Sequence, residues 1–244
     1  LGLVYRMNLF TDGFNEAIDL LTSGNESVYS AISVTVTVSS LSLMISLIIG
    51  LPLGFLLGYY QFPGKTIIRT IVDTFLALPT VVIGLIAYTM LSQVGPLGEY
   101  NLLFSQQAII MGQIVLGLPI IIALTASQVE AVDKRLYTSL KGLGANSYQI
   151  LIGTLIEARF GLMTAAMTAY GRIITEVGIS MMVGGNIKYH TRTITTAIAL
   201  ETGKGEFVTG IALGLVLFAV ALMVNIALSI LKRKWNLWVT YMNW

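Results

Sequence analysis

Five apolar runs divide this sequence, at about residues 34–60, 67–91, 107–127, 160–183 and 207–231. A hydrocarbon core about 30 Å thick takes about 20 apolar residues of helix to cross, with every backbone polar group bonded inside the segment. Each run is long enough, so the sequence predicts an all-α polytopic membrane protein with about five transmembrane helices. Composition agrees, since 55% of the 244 residues are hydrophobic and 11% charged, outside the usual range of soluble domains. A net charge of +2 is too small to argue for a nucleic-acid partner. The chain has no cysteine, which removes disulfides, thiolate metal sites and thiol nucleophiles. Its single histidine, His190, cannot build a multi-histidine centre, so no metal site is expected. No basic n-region with a small-residue cleavage site opens the chain, and a cleaved signal peptide is not expected.

The runs differ in what interrupts them. Ahead of the first, residues 1–30 place Phe10, Phe14, Ala17, Ile18 and Leu21 at helical spacing among Asp12, Glu16, Asp19 and Glu26. This predicts a short amphipathic helix on the membrane surface, closed by Ser23-Gly24-Asn25. In the first run Gly50, Gly54 and Gly58 recur every four residues, which lets another helix approach closely, and Pro52 is expected to kink it. The second run contains Ala77-Leu78-Pro79-Thr80 and Gly84, which loosen a helix in mid-membrane. The fourth carries Gly171-Arg172 and Thr175-Glu176-Val177-Gly178, two ionisable groups at membrane depth. Residues 184–206 lack an apolar run, and a loop that long points to function or to a re-entrant helix. Lys232-Arg233-Lys234, Trp235 and Trp238 follow the fifth run as an interface anchor, with 233–244 as a tail.

Residues 129–159, between the third and fourth runs, are the polar exception. Leu136, Leu140 and Leu143 recur at helical spacing, Gly144 suits a helix C-terminus, and Asn146 or Ser147 can cap a second short helix carrying Tyr148, Leu151, Ile152 and Leu155. Helix, tight turn, helix is more than a connection between two spans requires, so a docking surface is expected there. The stretch resembles the cytoplasmic coupling loop, or EAA loop, of binding-protein-dependent ABC importer permeases of the type I fold. That pattern runs Glu-Ala-Ala, three residues, then a glycine, here Gly144 in Leu143-Gly144-Ala145-Asn146. Thr138, Ser139 and Leu140 stand at the Glu-Ala-Ala positions, and Ile156 and Glu157 at a later Leu-Pro.

The resemblance extends along the chain. Leu78-Pro79-Thr80-Val81-Val82-Ile83-Gly84, Gly171-Arg172 with Glu176-Val177-Gly178, Met181 to Ile187, and Thr191-Arg192-Thr193 through Leu200-Glu201-Thr202 resemble the tungstate-uptake branch, with molybdate and sulfate permeases similar at fewer positions. The resemblance implies a homodimer, an extracytoplasmic oxyanion-binding protein, and two cytoplasmic ATPase subunits that bind ATP and Mg. It also implies that Leu136, Leu140, Gly144, Ala145, Asn146, Ser147 and Tyr148 dock on the ATPase. The sequence supports that division of labour, because no Gly-x-x-x-x-Gly-Lys-Ser/Thr phosphate loop occurs. No Gly-x-Ser-x-Gly elbow or His-Glu-x-x-His pair occurs either, so no enzymatic activity and no cofactor are expected in this chain. A secondary transporter or channel is the alternative class, and it would call for more intramembrane carboxylates than Glu176.

Basic residues orient the spans. With the N-terminus outside, Lys65, Arg69, Lys134, Arg135, Lys141, Arg159, Lys232, Arg233 and Lys234 fall on the inner side, against Arg6, Lys188, Arg192 and Lys204 outside. Nine against four favours an extracytoplasmic N-terminus, a cytoplasmic C-terminus and a cytoplasmic Gly144 turn. Arg172 and Glu176, four residues apart, share one face of the fourth span and are expected to face each other and the dimer interior. With Thr175 and Thr80 beside them they make either a translocation pathway or a buried pair that fixes packing.

Overall fold

The computed structural model describes the backbone of residues 2–242 and the side chains of 9–133 and 135–230. Among the described residues there is no strand. In chain order the helices are α1 (Gly2–Thr22), α2 (Glu26–Tyr59), α3 (Lys65–Leu76), α4 (Thr80–Leu91), α5 (Gln106–Glu130), α6 (Lys134–Gly142), α7 (Ser147–Ile174), α8 (Gly178–Gly184), α9 (Ile194–Lys204) and α10 (Phe207–Met242). By length and composition α2, α5, α7 and α10 can each cross a membrane, and α3 with α4 makes up the fifth crossing as a pair bent by 95°.

The α2–α5 packing anchors the bundle. Methyl groups on Gly54 and Gly58 would lie 2.7 Å from the carbonyl oxygens of Ile122 and Ala126, so these glycines allow backbone-to-backbone approach. The small-residue stripe continues along α2 through Ser46, Ser42, Ser39 and Thr35, all buried. Ser42 donates to Gln113 Oε1 on α5 at 3.0 Å. On one side of this pair Ile173, Ile174, Ile194 and Val216 bring α7, α9 and α10 into a core, and on the other Ile83, Ile109, Ile179 and Val183 bring in α4 and α8. A smaller cluster of Phe55, Val129 and Ala158 closes the end that carries the α6–α7 turn.

Four sequence expectations change. The second run is two helices, because Ala77-Leu78-Pro79 ends α3 and restarts the chain in α4, and a proline at position 79 cannot donate into a continuing helix. Twelve residues give α4 about 18 Å, well short of a 30 Å core. The second helix after the Gly144 turn is not short, since α7 runs unbroken from Ser147 to Ile174 and ends before the expected limit of the fourth span. α2 starts at Glu26, capped by the Asn25 side chain, inside the region assigned to the N-terminal segment. The polar stretch after α8 does carry a helix, one of the two expectations for it, in α9, opened by a Thr193–Thr196 capping box. Finally, α10 continues as helix to Met242 where a tail was expected. The side chains of Arg6, Lys134 and the Lys232-Arg233-Lys234 group, with Trp235 and Trp238, lie outside the described residues.

α1 rests on α10, where a methyl on Gly13 would meet Ile211 and Thr209 Oγ1 donates to Glu16 Oε1 at 2.8 Å. Its Phe10, Phe14 and Ile18 remain exposed. The loops sort to two ends. Lys65, Arg69, Glu130, Asp133 and Tyr137 surround one cavity at the turn end. At the other end Phe104 N–H donates to Val183 O, and Gln106 Nε2 to His190 O, both at 2.8 Å.

Candidate functional site

The α6–α7 turn is made by capping chemistry. Asp133 opens α6 by accepting from Arg135 N–H at 2.9 Å. Gly144 closes it at φ +83°, with Gly144 N–H donating to Lys141 O and Ala145 N–H to Leu140 O. These two bonds are a Schellman motif, whose left-handed residue favours glycine. Asn146 then starts α7 with a reciprocal capping box, its Oδ1 accepting from Gln149 N–H and Gln149 Oε1 accepting from Asn146 N–H, each at 2.8 Å. Leu136 and Leu140 are half-buried, Leu140 with its Cδ1 over Gly153 of α7, which holds the hairpin together, and Leu136 on the wall of the cavity at the turn end. Gly144, Asn146, Ser147 and Tyr148 are exposed and Ala145 half-buried. Leu143, 84% exposed, projects furthest among the apolar side chains of the turn. Leu143 shares the helical spacing of Leu136 and Leu140 in the sequence, but it is the C-cap of α6, where the chain leaves the helix, and its side chain is exposed.

The second site lies where two helix breaks meet. α7 ends at Ile174, and Glu176 folds back so that its Oε1 accepts from Ile179 N–H at 3.2 Å, satisfying a free donor in the first turn of α8. Thr195 Oγ1 donates to Glu176 O at 3.0 Å, and Thr35 Oγ1 accepts from Ile194 N–H at 2.9 Å, which ties the break to α9 and α2. A methyl on Gly178 would stand 3.3 Å from both Glu176 Oε1 and Thr80 Oγ1, so the α3–α4 break and the α7–α8 break sit side by side. The sequence reading brought Thr80 and Glu176 together, and the structure does so too.

Arg172 and Glu176 do not pair. Among the described residues no ion pair joins them, because α7 stops between them and the four-residue spacing no longer keeps them on one face. Glu176 is 3% exposed and turned into the bundle. Arg172 and Thr175 are exposed on α7, together with Thr168, Thr164 and Glu157. At 100° per residue these five fall on one face. Their threonine hydroxyls donate to backbone carbonyls one turn earlier, at 2.9 Å for Thr164, Thr168 and Thr175. The sequence reading missed Thr164 and Thr168; their spacing from Arg172 was the available signal. It also missed Thr35, Thr193 and Thr195, which gather only through the tertiary fold, and Ser180, four residues beyond Glu176, whose carbonyl accepts from its hydroxyl.

Residues 50–237 match the family described as binding-protein-dependent transport system inner membrane component. The chain belongs to this family. The tungstate uptake system permease protein of Campylobacter jejuni subsp. jejuni serotype O:2 is 50% identical to it over 91% of this chain and 93% of that protein. A probable anion ABC transporter permease of Haloferax volcanii is 40% identical, over 80% and 87%. A chain of the inward-facing MetNI methionine ABC transporter superposes with a TM-score of 0.66 at 21% identity, covering 85% of this permease and 95% of that chain. That likeness shows the fold, the type I importer arrangement of membrane helices.

Proposed function

We propose that this permease carries a divalent oxyanion, tungstate foremost, from an extracytoplasmic binding protein into the cytoplasm, driven by separate ATPase subunits. The 50% identity to a protein named for tungstate uptake, across nearly the full length of both chains, carries the reading. The name of the Haloferax volcanii relative specifies only an anion, so molybdate and sulfate stand as the alternative cargo.

The working assembly is two copies of this chain, with two ATPase subunits binding ATP and Mg against the α6–α7 turns and the binding protein at the opposite end. The basic asymmetry supports a cytoplasmic turn and C-terminus and an N-terminus outside. ATP-driven closure of the ATPases moves the paired turns. Because α7 is continuous from the turn, it acts as a rod about 42 Å long that carries this motion to Arg172 and the α7–α8 break. Arg172 lowers the barrier for a dianion on the exposed face of α7. The hydroxyls of Thr164, Thr168 and Thr175 already donate to backbone carbonyls and so offer the dianion no tight hold on that face, and a pathway requires entry without tight retention. Hydrolysis resets the assembly.

Proteoliposomes holding the permease, its ATPase and the binding protein test this, with metal uptake read by mass spectrometry. ATP-dependent tungstate import that outcompetes equimolar molybdate and sulfate is expected. Uptake without ATPase would overturn the importer reading, and preference for another anion would reassign the cargo. For orientation, Ser23→Cys should react with an impermeant thiol reagent in intact cells and Leu143→Cys only after permeabilisation; the reverse pattern inverts the topology.

A further inference from the structure

Glu130 is the last residue of α5 and stands three residues before Asp133, the cap of α6. Its carboxylate reaches across to α3, with Oε1 2.9 Å from Lys65 Nζ and Oε2 3.6 Å from Arg69 Nη1. Lys65 Nζ also donates to Gly58 O at 3.3 Å, and Arg69 Nη2 to Ser127 Oγ at 2.5 Å. None of the residues of α3 is buried, and within it Arg69 Nε also lies 3.4 Å from Asp73 Oδ2. Ile67, Ile68, Ile71 and Phe75 are exposed. Between α3 and the α5–α6 corner lies a cavity of about 600 Å³, room into which α3 can move. Arg69 Nη1 is buried without a hydrogen bond, so the contact to Glu130 has slack. Partly exposed ion pairs are weak and reversible, unlike an apolar core.

α3 leads through the 95° bend into α4, whose Thr80 borders Glu176. Any swing of α3 therefore re-aims the start of α4 at the polar centre.

We propose that Glu130 is a release latch: it grips Lys65 and Arg69 while the docking turn is at rest, and lets α3 and α4 swing when α6 is pulled. This rests on the importer reading. Glu130 is a positioning residue, acting on the pathway through α3.

The cysteine-free chain allows a direct test in the complete reconstituted transporter. Thr66→Cys and Val132→Cys face the cavity from opposite sides and leave the latch residues intact. Joined by a short reducible bis-thiol linker, they should cut ATP-driven uptake at least about tenfold, with recovery on reduction. Added ATP and Mg should slow the linking reaction at least about fivefold, within the range of ordinary allosteric coupling. In the unlinked protein Glu130→Gln should lower uptake per ATP hydrolysed at least about fivefold, with Glu130→Asp recovering most of it. Linked complexes that import at the unlinked rate, a linking rate indifferent to nucleotide, or unchanged uptake per ATP in assembled Glu130→Gln would each overturn the latch. The linking rate needs no cargo, so absence of oxyanion import in the unmodified complex counts against the proposed function and leaves the latch decided by nucleotide dependence.

Discussion

The α6–α7 turn and the polar centre around Glu176 both interrupt a helix, and they are built by opposite means. Hydrogen bonds that shape the turn close within five residues, from Ala145 to Leu140 and between Asn146 and Gln149. The centre adds to its local bond between Ile179 and Glu176 two that reach much further along the chain, 19 residues from Thr195 to Glu176 and 159 from Ile194 to Thr35. A locally closed turn moves as one piece with the helix it caps. A centre assembled from α2, α4, α7 and α9 changes shape whenever one of them shifts. The first arrangement suits a grip for a partner, and the second suits a gate.

The largest expected effect comes from breaking the grip. In Gly144→Asp a side chain must occupy φ +83°, a conformation that costs about 1–2 kcal/mol for an ordinary residue, and a carboxylate is added at the exposed tip. Insertion and dimer assembly should persist while uptake at saturating binding protein falls about tenfold or more, read as uptake per ATP hydrolysed. Gly142→Ala, two residues away with an ordinary φ and open space around it, should leave both readings unchanged. Equal effects at the two glycines would mean that the turn is no docking device.

The same contrast decides how much could be seen in advance. The turn was legible because Gly144, Asn146 and the leucine spacing encode it locally, and the apolar runs encode the spans. The α3–α4 break was half legible: Pro79 announces a loosened helix, but a 95° change of direction depends on what α4 packs against, namely α8. Sequence spacing misjudged Arg172 and Glu176 because it presumes a helix that continues, and nothing local says that Glu176 will abandon α7 to cap α8. Thr35, buried at 1% exposure on α2, reads as one more small residue until Ile194 arrives from far along the chain.

A middle-sized effect is expected where the two breaks touch. Gly178→Ala places a methyl 3.3 Å from Glu176 Oε1 and Thr80 Oγ1, close enough that one of them must yield by a few tenths of an ångström. Uptake should slow by about threefold to tenfold with the ATPase still docked. Gly171→Ala, one turn before the end of α7 with nothing within 4 Å, should change the rate little. Indifference at Gly178 would remove Thr80 and Glu176 from the gate.

The smallest effect is a coupling, and it separates the two halves of the fourth-span motif. Arg172→Gln removes the cation from the exposed face of α7 and should slow transport several-fold. Glu176→Gln keeps an amide oxygen able to accept from Ile179 N–H, so fold and assembly should survive a change in rate. Because Arg172 faces outward and Glu176 inward, with no ion pair between them, the two losses should multiply in the double variant. Independent sites add within about 0.3–0.5 kcal/mol, whereas residues in contact deviate by about 0.5–3 kcal/mol. A coupling near 1 kcal/mol or above, measured from uptake rates of the wild type, both single variants and the double, would mean that the pair closes in another state of the cycle. Arg172 would then travel to Glu176 as α7 moves, and the α7–α8 break would be a switch between two arrangements rather than a fixed corner.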